Sequence, residues 1–203
     1  ILAEDGSKMS KSKKNFPDPM ELINKYGADA LRLYLMSSSV MKAENLSFSE
    51  KEVSDLRRKV FLIWWNMISF YKLFASANHD VVETPISADN ILDIWLISRT
   101  NSLTKKVTAD LKKYDVVRAS RELTSFINEL STWYLRLSRE RIKGDENQQS
   151  SHVLGWVLYR LAQLFAPLCP FFSELVHHNL VDDQSSIHLT DWPKYDAALS
   201  NDH

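Results

Sequence analysis

Lys8 and Lys11 stand three residues apart in the run Lys8-Met9-Ser10-Lys11-Ser12, which a short polar turn, Asp5-Gly6-Ser7, introduces. Each ammonium is a compact charge with three rotatable donors on a flexible stem. Two of them beside serine hydroxyls and exposed amides suit a polyphosphate, and Gly6 gives the loop a hinge. Such a loop can swing over a triphosphate and stabilise charge as it develops on a leaving pyrophosphate. A short Lys/Ser run by itself also describes an exposed, solvated loop, so its context decides.

A second constellation runs from Trp133 to Lys143. On a helix, Arg136, Arg139 or Glu140, and Lys143 lie along one strip, and Tyr134, Leu137 and Arg141 along the next. Planar guanidinium groups grip phosphates bidentately and stack on bases, and Trp133 adds an aromatic face for unstacked RNA. The same residues have a plainer use, because basic side chains near a helix C-terminus complement the dipole and Glu140 can pair with Arg136 or Lys143. Arg57, Arg58 and Lys59 form a third basic cluster, whose three consecutive charges cannot share one face. Contact with an RNA backbone needs only charge and reach, which keeps Arg57 and Arg58 as candidates.

These side chains depend on the elements around them. Asp18 reads as an N-cap, with Pro19 at the first helical position and Glu21 at the third; Gly27 stops that helix. A second helix begins near Asp29 and ends at Ser37-Ser38-Ser39, and Asn45–Ser49 alternates like a short extended segment. Residues 1–50 therefore read as a small mixed α/β unit. From about Glu50 the period changes. Val53, Leu56, Val60, Ile63, Met67, Phe70 and Phe74 recur at three and four, predicting a long amphipathic helix. Residues 76–90 read as a loop. Leu92 to Leu111 carries the next helix. Asp115 caps a third, with Ala119, Leu123, Phe126, Leu130, Tyr134 and Leu137 facing inward. Gly144–Ser150 is a polar break. Leu154 to Leu164 marks a fourth helix closed by Pro167, and Pro170 opens a fifth. Ser186–Pro193 reads as an extended tail. The fold expected is mainly α: a small mixed module over 1–50, then an antiparallel helical bundle over 51–203.

With 203 residues and a net charge of −1, the chain carries no overall electrostatic signature of a nucleic-acid binder, so any such surface must be local. Cys169 is the only cysteine, which rules out a disulfide within the chain and fits a reducing, cytoplasmic setting. No apolar run reaches membrane-spanning length, and the six histidines show no metal-ligand spacing. Ile1-Leu2-Ala3 reads as a strand already in progress, and the chain as a piece of a longer polypeptide.

Lys-Met-Ser-Lys-Ser after a short strand resembles the second signature of class I aminoacyl-tRNA synthetases. Pro17-Asp18-Pro19 and Tyr26–Tyr34 resemble the stretch after that loop in the isoleucine, valine and leucine enzymes. Trp133-Tyr134-x-Arg136-x-x-Arg139-x-Arg141-x-x-Gly144 is similar to an anticodon-domain helix of the isoleucine enzymes. The valine enzymes usually carry an acidic residue where this chain has Arg136. Ala43–Phe48, Phe165–Phe172 and Ser186–Pro193 extend the likeness to nearly the whole chain. One departure is Ser69, which stands where Asn-x-x-Arg-Phe has its arginine.

The resemblance implies ATP with Mg2+ as cosubstrate, with Lys8, Met9, Ser10, Lys11 and Ser12 at the ATP and Lys8 and Lys11 catalytic during adenylate formation. It implies a module over 1–50 that links catalytic domain and tRNA stem, and a bundle that binds an isoleucine-specific tRNA through Trp133, Arg136, Arg139, Arg141, Lys143, Arg57 and Arg58. Isoleucine and ATP would be held mainly by an upstream catalytic domain, since no His-Ile-Gly-His motif occurs here, and the chain alone is expected to be inactive. A valine or leucine enzyme, and a stand-alone helical interaction module, remain alternatives.

Overall fold

A computed structural model describes residues 1–10, 12–74, 88–144, 148–181 and 185–200. Helices dominate it, and among the described residues extended pairing is confined to bridges at Leu2. The Leu2 amide donates to the Leu46 carbonyl at 2.7 Å, and the Phe48 amide donates to the Leu2 carbonyl at 2.9 Å. The alternating segment at 45–49 is thus paired with the first residues of the chain, but only over a bridge or two.

Helix α1 (Pro19–Tyr26) begins where Asp18 accepts from the Met20 amide and ends at Gly27, whose φ of 91° few other residues adopt comfortably. Helix α2 (Ala28–Met36) packs on α1 and docks the module on the bundle. The Asp29 carboxylate accepts from the Phe172 amide at 2.6 Å, capping the last long helix from across the molecule. Arg32 donates to the carbonyls of Leu168 and Pro167, which the helix end before it leaves free.

The bundle is built from α3 (Glu50–Leu56), α4 (Leu62–Phe74), α5 (Ile91–Lys112), α6 (Val116–Glu129), α7 (Arg136–Lys143), α8 (Gln148–Phe165) and α9 (Pro170–Leu180). Ser49, Asn90 and Asp115 each cap a helix with a side-chain oxygen. The core joins these helices through fully buried Trp64, Phe126, Tyr134 and Phe165, with Trp64 and Phe165 rings 5.0 Å apart. Gly155 lets α4 and α8 approach closely, since a methyl group there would lie 2.7 Å from the Tyr71 hydroxyl.

Two π-helical turns change the register read from the sequence. Arg57–Phe61 joins α3 to α4, and Leu130–Leu135 joins α6 to α7. A π turn takes up an extra residue, so side chains beyond it shift around the helix axis. In the first helix Trp64 and Tyr71 are buried instead of Ile63 and Phe70. In the third, Ser138 and Ile142 turn inward and Leu137, expected in the core, is 51% exposed. Helix α8 starts at Gln148, so the polar break is shorter than expected. The tail is not simply extended: Ser186 caps a single 3-10 turn, Ile187–Leu189. The expected loop at 76–90 lies largely outside the described residues.

Candidate nucleic-acid interface

The first site is the loop after Leu2. Gly6, at φ 78°, turns the chain so that the Ala3 amide donates to the Ser7 carbonyl at 2.8 Å. Asn15 then holds the loop together. Its side-chain oxygen accepts from the Ser10 amide at 2.9 Å, and its amide group donates to Ser7 Oγ at 3.0 Å and the Lys8 carbonyl at 3.2 Å. Met9 packs partly against the core. Lys8, Ser12, Lys13 and Lys14 stay exposed, and Ser10 and Ser12 share a hydroxyl contact of 3.2 Å. Lys11 lies outside the described residues. Asn15 was part of the sequence context, yet its role as a clamp had no signal in spacing alone.

These groups fit a nucleotide triphosphate by chemistry: an exposed ammonium, two hydroxyls and turn amides on a loop that side-chain bonds hold. No group of three or more His, Cys, Asp or Glu suited to a metal ion occurs among the described residues.

The second site lies on α7 and the π turn before it. Arg136 and Arg139 are exposed, and no carboxylate stands within ion-pairing distance of either among the described residues. They border a groove of about 340 Å³ between α4 and α7. Met67, Phe70 and Leu135 make its floor, with Asn66 and Thr132 on the rim beside the arginines. The Arg139 guanidinium lies 5.6 Å from the centre of the Phe70 ring. Asn66 and Phe70 line the groove from α4, where Phe70, expected in the core, is only partly buried.

Arg141 does not belong to this surface, contrary to the expectation from sequence. Its guanidinium forms a bidentate pair with Asp93, at 2.6 and 2.8 Å, and contacts Ser138 and Ser150. Asp93 is completely buried, and it also accepts from the Tyr134 hydroxyl at 2.6 Å and from Ser150 at 2.9 Å. Burial alone would raise the Asp93 carboxyl, but the bonds from Arg141 and Tyr134 outweigh it and hold the group below the ordinary aspartate range. Burial and the neighbouring Asp93 charge push the Tyr134 hydroxyl well up. Arg141 turns inward beside Tyr134 and Ser138, although Leu137, read on the same strip as Tyr134 and Arg141, is exposed. That shared strip was legible; the acidic partner on α5 was not.

The remaining candidates are dispersed. Trp133 turns toward Trp95 of α5, ring centroids 4.2 Å apart at 62°, and stays 40% exposed. Lys143 pairs with Glu140 at 2.8 Å. Arg58 and Lys59 share Asp55, at 2.7 and 3.1 Å. Arg57 is exposed on the edge of a separate apolar hollow beside Tyr26, Phe61 and Phe171. Thus Arg136 and Arg139 are brought together, and Arg57, Arg58 and Trp133 are not brought to their groove. No helix among the described residues is long and apolar enough to cross a membrane.

The family model "Anticodon-binding domain of tRNA ligase" matches residues 93–203, and "tRNA synthetases class I (I, L, M and V)" matches residues 1–47. The chain is 41% identical to "Isoleucine--tRNA ligase, cytoplasmic" of Caenorhabditis elegans, over 98% of its own length and 19% of that protein's. It is equally 41% identical to "Isoleucine--tRNA ligase" of Bdellovibrio bacteriovorus, over 98% of the chain and 20% of that protein. It therefore spans about a fifth of the length of the curated relatives it matches. A solved structure, the ternary complex of Agrobacterium radiobacter K84 agnB2 LeuRS-tRNA-LeuAMS, shares the fold with a TM-score of 0.74 at 23% identity. That match covers 98% of this chain and 23% of the other.

Proposed function

Since the chain belongs to the class I tRNA synthetase family and carries its tRNA-ligase anticodon-binding domain, we propose that it is the tRNA-binding part of an isoleucine–tRNA ligase. The observation that carries this reading is the pair Arg136 and Arg139, presented over an apolar groove without carboxylate partners among the described residues. Guanidinium planes beside a hydrophobic floor suit an RNA loop, whose unstacked bases offer faces to stack on and phosphates to pair with. Arg58, Arg141 and Lys143, by contrast, each answer to a nearby carboxylate, so this groove is where a polyanion meets cations that are free to respond.

The isoleucine assignment rests on relatives that bear that name, and on Arg136, where the valine enzymes usually place an acid. Residues 1–50 act as the link between catalytic domain and tRNA stem, and residues 51–203 as the anticodon-arm binder. In the whole protein, Lys8 and Lys11 stabilise the triphosphate of Mg-ATP and the leaving pyrophosphate during adenylate formation, which is positioning and charge stabilisation. The Asn15 clamp keeps the loop compact while Lys8 stays exposed. The whole protein then belongs in the cytoplasm with the translation machinery.

Titration of the chain with an isoleucine tRNA and an anticodon-swapped version, at two salt concentrations, tests the tRNA reading. Discrimination between the two RNAs at both salts supports it. Equal binding, or none, overturns it in favour of a helical interaction module that retains the loop. The loop assignment is tested separately in the whole protein: Lys8→Ala and Lys11→Ala should each lower ATP–pyrophosphate exchange by about a hundredfold, and wild-type rates would refute it.

A further inference from the structure

The module over 1–50 meets one corner of the bundle through two side chains of α2. Asp29 and Arg32 are three residues apart, so they share a face of that helix. The Asp29 carboxylate accepts from the Phe172 amide at 2.6 Å, in the first turn of α9, where Cys169 supplies no side-chain cap. Arg32 donates to the carbonyls of Leu168 at 3.1 Å and Pro167 at 3.4 Å, in the turn that follows α8. The acid thus meets the positive end of one helix and the base the negative end of the other. All three acceptor and donor partners are backbone atoms, which cannot follow a rotamer change. The two side chains therefore fix the angle at which α2 stands on the α8–α9 corner.

Packing alone does not explain this joint. Asp29 is 6% exposed, and its Oδ1 has no hydrogen-bond partner among the described residues; the Arg32 Nε lies 4.0 Å from it. A buried carboxylate with one oxygen unsatisfied lowers stability where a neutral hydroxyl cap would not.

We propose that Asp29 and Arg32 are positioning residues for aminoacyl transfer: their joint with the α8–α9 corner sets the angle at which the bundle presents a bound tRNA to the catalytic domain on the other side of the module. This rests on the tRNA reading above and adds two residues that act through the backbone of the corner and not on the RNA. A small rotation at the corner becomes a large displacement at the remote end of a bound tRNA, and misplacement by about 1 Å can slow a reaction roughly a hundredfold.

The test uses the whole protein and reads three quantities: ATP–pyrophosphate exchange without tRNA, affinity for isoleucine tRNA, and the single-turnover rate of isoleucine transfer to saturating tRNA. In Arg32→Ala the transfer rate should fall by about tenfold, with exchange and affinity at parent values, because loop and groove are both left intact. A role in stability alone would lower all three together, in step with the folded fraction. Arg32→Lys keeps the charge but not the fork that reaches two carbonyls, so it should restore little of the rate. Asp29→Asn keeps an acceptor for the Phe172 amide and should transfer faster than Asp29→Ala. The Arg32 side chain is 40% exposed, so its variants carry the test even if Asp29→Ala fails to fold. A parent rate of transfer in Arg32→Ala, or equal losses in all three quantities, would overturn the proposal and leave the tRNA reading standing. Absence of tRNA binding by the unsubstituted protein would overturn both, and is read before any variant is compared.

Discussion

Arg139 and Arg141 are near neighbours on one short helix, and they sit in opposite surroundings. Arg139 lies exposed over Phe70 at the mouth of a groove, with no carboxylate in ion-pairing distance among the described residues. Arg141 is bidentate to a fully buried aspartate that Tyr134 and Ser150 also bond. The same guanidinium therefore does two jobs. Where its partner comes from within the fold, it fixes three helices, α5, α7 and α8. Where none stands among the described residues, we propose that the charge serves a ligand. An arginine's function is read from where its counter-charge sits, and a motif containing several arginines does not say which is which.

The largest effect should come from breaking the buried pair. Arg141→Ala leaves Asp93 with an uncompensated charge in the core, and should destabilise the chain by about 3–5 kcal/mol in urea unfolding. Remaining folded protein should bind tRNA with nearly unchanged affinity, because the groove is not part of this cage. Unchanged stability would mean the cage contributes nothing.

The groove should show the converse. Arg136→Ala with Arg139→Ala should weaken tRNA binding by about 100-fold, while unfolding free energy changes by less than about 0.5 kcal/mol, as surface substitutions do. A large loss of stability would place these residues in the fold and not at an interface.

Acid should act on the cage and spare the groove. The Asp93 carboxyl is held below its ordinary value, so the stabilisation it provides is complete above about pH 4 and lost as pH falls through the folded-state value. Asp29 has the opposite sign: burial raises it, so its share is present at low pH and is lost as pH rises above about 4. The acid limb of a stability–pH curve should be shallower in Asp93→Asn than in the parent. An identical limb would contradict the assignment. Smallest of all, Arg58→Ala removes an exposed pair with Asp55 that has Lys59 in reserve, and should leave the urea unfolding midpoint essentially unchanged.

Much of this architecture was legible from residue type and period. Asp18, Gly27, Asp115 and Pro170 mark helix ends because capping chemistry is local. What the sequence could not disclose was the pair of π turns. The three-and-four pattern of Val53 to Phe74 fits a uniform helix well, and only tertiary packing favours the extra residue at Arg57–Phe61 that buries Trp64. That single slip hides Phe70's place at the groove. Arg136 and Arg139 were legible as an exposed basic strip. Asp93 was not legible as Arg141's partner, because the two are far apart in sequence and no local rule joins them. Asn15 gave no sign of being a clamp for the same reason at shorter range: its three bonds depend on how Gly6 turns the loop.

The measurement that bears most directly on this division of labour is the slope of log affinity for isoleucine tRNA against log salt, taken for the parent, Arg136→Ala/Arg139→Ala and Arg141→Ala under conditions where all three are folded. Loss of phosphate-facing cations should reduce the slope by about one for each contact removed, so the groove variant should be visibly flatter and Arg141→Ala should run parallel to the parent. A parallel line for the groove variant, or a flattened one for Arg141→Ala, would mean that the wrong arginine has been given to the RNA.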